Sequence, residues 1–138
     1  MNIRIAAIFI FFTPICTQAA TKSLECPQTN DKGVVQVIKA VIADESDKAE
    51  VNLHATTAEC AATDSCPTSV YRKETLPTVI RLTSTTYQGS ISYQTIIDID
   101  RTNLNVVTRT SLKMQGTSHE TTFSGSCTLK VDNTKKLL

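Results

Sequence analysis

The second half of the chain alternates between apolar and polar residues with a period of two. The clearest case is residues 90–100, in which every second residue falls on one face: Ile91, Tyr93, Thr95, Ile97 and Ile99. Such alternation is typical of a strand with one buried face. Turn residues border the segment, with Gln88-Gly89 before it and Thr102-Asn103 after it. The pattern therefore predicts a strand between two tight turns.

Three neighbouring segments repeat the pattern. Strands are predicted over 76–86, over 104–114 and over 119–131, with a turn at Gln115-Gly116-Thr117. The residues in phase are Ile80 and Leu82 in the first, Leu104, Val106, Leu112 and Met114 in the second, and Phe123, Cys127, Leu129 and Val131 in the third. Four consecutive strands joined by short turns predict an antiparallel meander.

The first half of the chain is less clear. Residues 34–42 fit a helical spacing, but their many β-branched side chains favour a strand. A polar cluster at 44–47 predicts a turn, after which Val51, Leu53 and Ala55 alternate, and residues 57–75 read as a long loop. We expect an all-β fold, a small antiparallel meander, barrel or sandwich of about six strands.

The first residues have the three parts of a secretory signal. Arg4 is the only charge, an apolar run follows from Ile5 to Phe12, and small residues close the segment. Cleavage after Ala19 places Thr17 and Ala19 at the two small-residue positions, whereas cleavage after Ala20 would place Gln18 at one of them. We therefore expect residues 1–19 to be a signal peptide, residues 20–138 to form a single β-rich domain, and the protein to be periplasmic or secreted.

Two other interpretations of this segment fit less well. A membrane-spanning helix needs about 20 apolar residues, and the run here is shorter and interrupted by Pro14. A lipid-modified cysteine at Cys16 would normally follow a small residue, but Ile15 precedes it. We expect no membrane span after signal cleavage.

The charge balance excludes one class of partner. The chain has 14 basic and 13 acidic residues, and removal of Arg4 with the signal leaves equal numbers of each. Nucleic-acid binding normally depends on a strong positive field, which is missing here. We expect no nucleic acid and no cofactor.

Four cysteines remain after cleavage, an even number in an exported protein, which predicts two disulfides. Sequence alone permits three pairings. We favour Cys60–Cys66, which closes a short loop, and Cys26–Cys127, which ties the two ends of the domain together. A zinc site is the rival, but its usual C-x-x-C spacing is missing, and we expect no metal.

Every candidate for chemistry has a plain structural alternative. His54 and His119 are the only histidines, and no partner is evident for either. Asp98 and Asp100 share a strand face and could bind calcium, but a solvated face paired with Arg101 or Lys113 is the simpler interpretation. No G-x-S-x-G motif marks a nucleophile, so no catalytic residue is predicted.

One local group could belong to an interface. The sequence Tyr71-Arg72-Lys73 combines aromatic and basic side chains, and tyrosine and arginine are enriched at binding hot spots. Ordinary loop surface is the alternative.

The last third of the chain resembles small exported bacterial proteins. Residues Ile99-Asp100-Arg101-Thr102, followed by Gly125-Ser126-Cys127, are similar to the I-D-R-x-T turn and terminal G-x-C of those proteins, with Asn103 where they have a turn glycine. Most of them have no known function. The resemblance therefore implies a bacterial envelope setting.

Two classes of function remain. The first is a protein-binding module, like inhibitors, immunity proteins or envelope accessory proteins, which needs only a rigid scaffold and variable loops. The alternative is a small hydrolase or a lipocalin-like ligand carrier, which would need a convergent polar site or an apolar cavity. Because no catalytic motif is visible, we favour a protein partner in the cell envelope or outside the cell.

Overall fold

The computed structural model describes residues 21–53 and 68–130, and these residues form strands joined by turns, with no helix among them. The strands are β1 (Thr21–Thr29), β2 (Val35–Ala43), β3 (Lys48–Asn52), β4 (Ser69–Thr75), β5 (Val79–Gln88), β6 (Ile91–Asp100), β7 (Asn105–Met114), β8 (Thr117–Ser126) and β9 (Thr128–Lys130). No helix in the described part of the chain has the length and apolar character needed to cross a membrane.

The strands close into an antiparallel barrel. Each of β1 to β7 pairs with the next strand along the chain, and β1 also pairs with β8, which completes the ring. The ninth strand, β9, continues from β8 and pairs with the first part of β1. The predicted all-β meander is confirmed, and it takes the barrel form.

The core is the inside of the barrel. Alternate residues of every strand from β1 to β7 point inward, and the buried apolar side chains are Leu24, Cys26, Ile38, Ala40, Ile42, Ala49, Val51, Tyr71, Leu82, Ile97, Ile99, Val106 and Cys127. Few of them are large, because aromatic residues make up only 5% of the sequence. Branched aliphatic side chains therefore fill most of the interior.

The barrel closes at a seam between β1 and the β8–β9 segment. The register is constant along it, since Gln28 lies opposite Gly125 and Glu25 lies opposite Thr128. Cys26 and Cys127 fall opposite each other in the same register and form a disulfide. The predicted pairing of these two cysteines is confirmed. It fastens the first strand to the last part of the ring.

A close backbone approach accompanies the disulfide. A Cβ at Gly125 would lie only 2.0 Å from the carbonyl oxygen of Pro27. Pro27 lacks an N–H and cannot complete the ladder at this point. The terminal G-x-C motif thus has a structural reason, because its glycine admits the neighbouring strand and its cysteine bonds to it.

The strand count was underestimated, because β1 and β4 were not predicted and one predicted strand is divided into two. In β1 the inward residues Leu24, Cys26 and Gln28 include a polar one, and Pro27 argues against a strand. β4 falls within the stretch read as a long loop, since its inward residues include a lysine. The strand predicted over residues 119–131 is divided at Cys127 into β8 and the three-residue β9. The segment that could have been helix or strand, residues 34–42, lies almost entirely in the strand β2 (Val35–Ala43).

The turn after β6 is held by its own side chains. Asp100 Oδ1 accepts hydrogen bonds from the N–H groups of Thr102 (2.8 Å) and Asn103 (3.2 Å). Arg101 donates to the carbonyl oxygens of Leu76 and Pro77 in the turn before β5. The positive φ of this turn, 61°, belongs to Leu104 and not to Asn103.

Candidate functional site

Two hairpins extend beyond the rest of the barrel at one end. β4 pairs with β5 only up to Thr83, and β1 pairs with β8 only at Ser124 and Gly125. The remaining parts of β5–β8 form a four-stranded sheet without neighbours at either edge among the described strands. We call residues 84–95 and 110–123 the projecting end.

The inner face of the projecting end is partly apolar and open. Thr86, Tyr93, Leu112 and His119 lie side by side across the four strands. Tyr93 is 44% exposed, Leu112 is half-buried and, nearer the tip, Met114 is 42% exposed. These positions are in phase with the barrel interior, but the strands that would cover them end too early. Apolar side chains thus remain accessible here.

The outer face of the projecting end carries a second tyrosine. Tyr87 is 74% exposed and lies opposite Ser92, which in turn faces Lys113. These side chains line a small groove of about 100 Å³. Two of the three tyrosines in the sequence are therefore exposed at this end of the molecule.

An ion-pair cluster braces the base of the projecting end. Arg81 forms a bidentate contact with Asp98 (2.7 and 3.0 Å), and Arg109 donates to the same carboxylate (3.0 Å). The hydrogen bond to Asp98 raises the pKa of Arg81, so its charge is retained. The cluster joins β5, β6 and β7 on the outer face. It corrects the expectation that Asp98 pairs with Arg101 or Lys113.

A groove borders the projecting end on the β8 side. It has a volume of about 610 Å³ and lies between residues 120–124 and the turn that joins β1 to β2. Asn30 orders that turn, because its Oδ1 accepts hydrogen bonds from the N–H groups of Lys32 (3.0 Å) and Val34 (2.8 Å). The groove therefore has one ordered wall and one open strand edge.

The Tyr71-Arg72-Lys73 group lies on β4, which is not part of the projecting end. Tyr71 and Lys73 point into the barrel and are 2% and 8% exposed, so only Arg72 is available on the outer surface. Burial raises the pKa of Tyr71. Lys73 Nζ donates to the carbonyl oxygens of Ala43 (2.5 Å) and Asp44 (3.1 Å). An interface that used all three side chains would need two of them to leave the core.

The other residues considered for chemistry do not converge. His119 is exposed on β8, and His54 lies outside the described residues. Asp98 is occupied by two arginines, and Asp100 caps a turn. Within residues 21–53 and 68–130, no cluster of three or more His, Cys, Asp or Glu side chains could hold a metal ion.

Two further predictions fall outside the described ranges. They are the signal peptide over residues 1–19 and the pairing of Cys60 with Cys66. Both stay predictions.

The exposed tyrosines and the groove were not found from the sequence. Tyr93 has the phase of a core residue, and nothing local shows that the covering strands end before it. The comparisons add no further information: no family model, no curated protein and no solved structure matches this chain.

Proposed function

We propose that this protein is an exported protein-binding module that docks a partner on its projecting end. The proposal rests on the exposure of Tyr87, Tyr93 and Met114 on the projecting end of the barrel. Tyrosine and methionine are enriched in the centres of protein interfaces, where they bury much area at a low cost in side-chain entropy. A braced sheet can present them without rearrangement on binding.

The interior of the barrel gives less support to a ligand carrier. Its inward positions hold packed aliphatic side chains, and Tyr71 and Lys73 take up further space. Carriers of this architecture need an interior volume for the ligand. The described residues form no convergent polar site of the kind that a hydrolase would need. The binding module is thus the function that the geometry supports best.

Export is part of the same proposal. The disulfide between Cys26 and Cys127 is compatible with an oxidising compartment, where such bonds persist. The N-terminal segment has the features of a secretory signal. Both features support the proposal that the protein acts in the periplasm or outside the cell.

Site-specific photo-crosslinking in the source cells tests the proposal. A photoreactive phenylalanine analogue replaces Tyr93 in one variant and Val70 in a control, since Val70 is exposed (62%) on β4 outside the projecting end. A discrete adduct is expected from the Tyr93 variant, and it should disappear when Tyr87 and Met114 are also changed to serine. No adduct at Tyr93, or the same adduct from both variants, would contradict the proposed surface.

A further inference from the structure

We propose that the partner contributes an extended segment that adds as a strand to the free edge of β8, residues 117–123, with a basic side chain opposite Glu120. This inference rests on the proposed function and names the mode of binding. Strand addition to an open sheet edge is a recurrent form of peptide recognition, in which main-chain hydrogen bonds provide much of the affinity.

None of the described strands pairs with this edge of β8. β8 pairs with β7 along its whole length, whereas β1 reaches only Ser124 and Gly125. Cys127 donates its N–H to the carbonyl oxygen of Leu104 (2.8 Å), its direct opposite in the β7–β8 register. Because hydrogen-bonded pairs alternate along an antiparallel ladder, every second residue before Cys127 also faces β7. The N–H and C=O groups of Ser118, Glu120 and Thr122 therefore face the free edge.

The surroundings of the edge leave room for a strand. The 610 Å³ groove lies beside it, lined on one wall by Glu120, Thr122 and Ser124 and on the other by the turn over residues 29–32. A seven-residue extended segment would span about 23 Å. It would continue the line of β1 and keep the antiparallel order of the whole sheet.

The charge of Glu120 favours a segment of another protein over a second copy of this chain as the added strand. If two copies of this chain paired antiparallel over residues 117–123, Glu120 of one would lie opposite Glu120 of the other, and like charges so placed are destabilising. No basic group lies within 4.0 Å of Glu120 among the described residues. A segment of another protein with lysine or arginine at that position would instead form a cross-strand ion pair.

The opposite edge of the projecting end is a suitable control. Ser84–Gln88 also lacks a described neighbour on the β4 side, but only five residues are open there. Arg101 donates its N–H to the carbonyl oxygen of Thr78, the residue directly opposite it in the β5–β6 register. Hydrogen-bonded pairs alternate along this ladder as well, so the N–H of Thr85 points away from β6 and toward the second edge. Thr122 and Thr85 are therefore matched, exposed positions on two edges.

The experiment uses the oxidised mature protein and two synthetic seven-residue peptides of alternating threonine and valine, with lysine or glutamate at the centre. Binding is followed by amide chemical shifts. We expect the amides of Ser118, Glu120 and Thr122 to shift, and the lysine peptide to bind about threefold more tightly. The variant Glu120→Lys should reverse this preference. Thr122→Pro should abolish binding, while Thr85→Pro should leave it unchanged, and circular dichroism checks that both variants fold.

Other results would overturn the inference. They are shifts confined to residues 84–88, equal binding by the Thr122→Pro variant, or no shift at millimolar peptide. Dimerisation that Thr122→Pro abolishes would identify a second copy as the occupant. If the crosslinked partner of the Tyr93 variant were retained by Thr122→Pro, the proposed function would stand and strand addition would be wrong.

Discussion

Position 125 lies where two backbones come close together. Gly125 is on β8 beside the seam, and a Cβ there would meet the Pro27 carbonyl at 2.0 Å, far inside van der Waals contact. The obstructing atom belongs to the backbone of a paired strand, so it cannot move aside alone. Relief would require β1 to shift at the point where the disulfide holds it.

Replacement of this glycine should therefore destabilise the protein. We expect Gly125→Ala to lower the free energy of unfolding by about 3 kcal/mol, at the upper end of overpacking effects. Ser124→Ala, an exposed change one residue earlier, should stay within about 0.5 kcal/mol. Urea denaturation of both variants measures the difference. Equal stabilities would show that the seam tolerates a side chain.

The buried Lys73 explains why the sequence pattern did not predict strand β4. Lys73 lies inside the barrel, and its amine donates hydrogen bonds to the carbonyl oxygens of Ala43, the last residue of β2, and of Asp44 in the turn that follows. Buried lysines are uncommon, and they normally find partners for the ammonium group. The backbone N–H of the same residue donates to Asp47 O (2.6 Å). Lys73 thus joins β4 to that turn through both its side-chain amine and its backbone N–H.

At the scale of elements, apolar alternation predicted strands well where the inward residues are aliphatic. β6 is the best example, since Ile97 and Ile99 are buried as expected. The same alternation failed in β4 and β1, whose inward positions include Lys73 and Gln28. The ammonium group of Lys73 finds carbonyl oxygens 29 and 30 residues away in the sequence, which a local pattern cannot show.

The candidate site was predictable only in part for a related reason. Tyr93 and Met114 have the phase of core residues, and alternation alone placed them on the buried face. Whether such a position is covered depends on where the neighbouring strands end. β1 and β4 stop short of the projecting end, and neither of them was predicted.

The attachment of β9 to β1 should depend on pH. Glu25 accepts a hydrogen bond from Lys130 Nζ (2.5 Å), which lowers the pKa of Glu25 below its ordinary value of 4.5. A lowered pKa in the folded state means that the charged carboxylate stabilises the fold, so the contribution is present at neutral pH. It is lost as the pH falls through the lowered pKa. Because both side chains are partly exposed, its size should be below about 1 kcal/mol.

A carboxylate titration followed by NMR measures this effect directly. We expect the pKa of Glu25 to lie below 4.5 in the native protein and to return toward that value in Lys130→Ala. The variant Lys48→Ala, which changes an exposed lysine on β3, should leave it unchanged. An identical pKa in all three proteins would mean that the ion pair does not hold β9.

On the scale of the whole molecule, the ring is closed by few contacts. β1 meets β8 at only two residue pairs and β9 at three, whereas β7 and β8 share ten. The Cys26–Cys127 disulfide lies between the two short ladders and joins residues 101 positions apart. It therefore stands where hydrogen bonding between the strands is sparsest. The other ladders of the barrel join strands that are consecutive along the chain.

The disulfide should therefore contribute much of the stability. A bond that closes a loop of this length restricts the unfolded chain by about 4.7 kcal/mol in the chain-entropy model. Reduction should lower the melting temperature markedly, and the pair Cys26→Ala with Cys127→Ala should cost more than Cys60→Ala with Cys66→Ala, because the second pair would close only a short loop. Calorimetry compares these proteins, and non-reducing peptide mapping reads the connectivity. A peptide that joins Cys26 to Cys60 or Cys66 would contradict the closure, since the seam would then have to be held by five residue pairs alone.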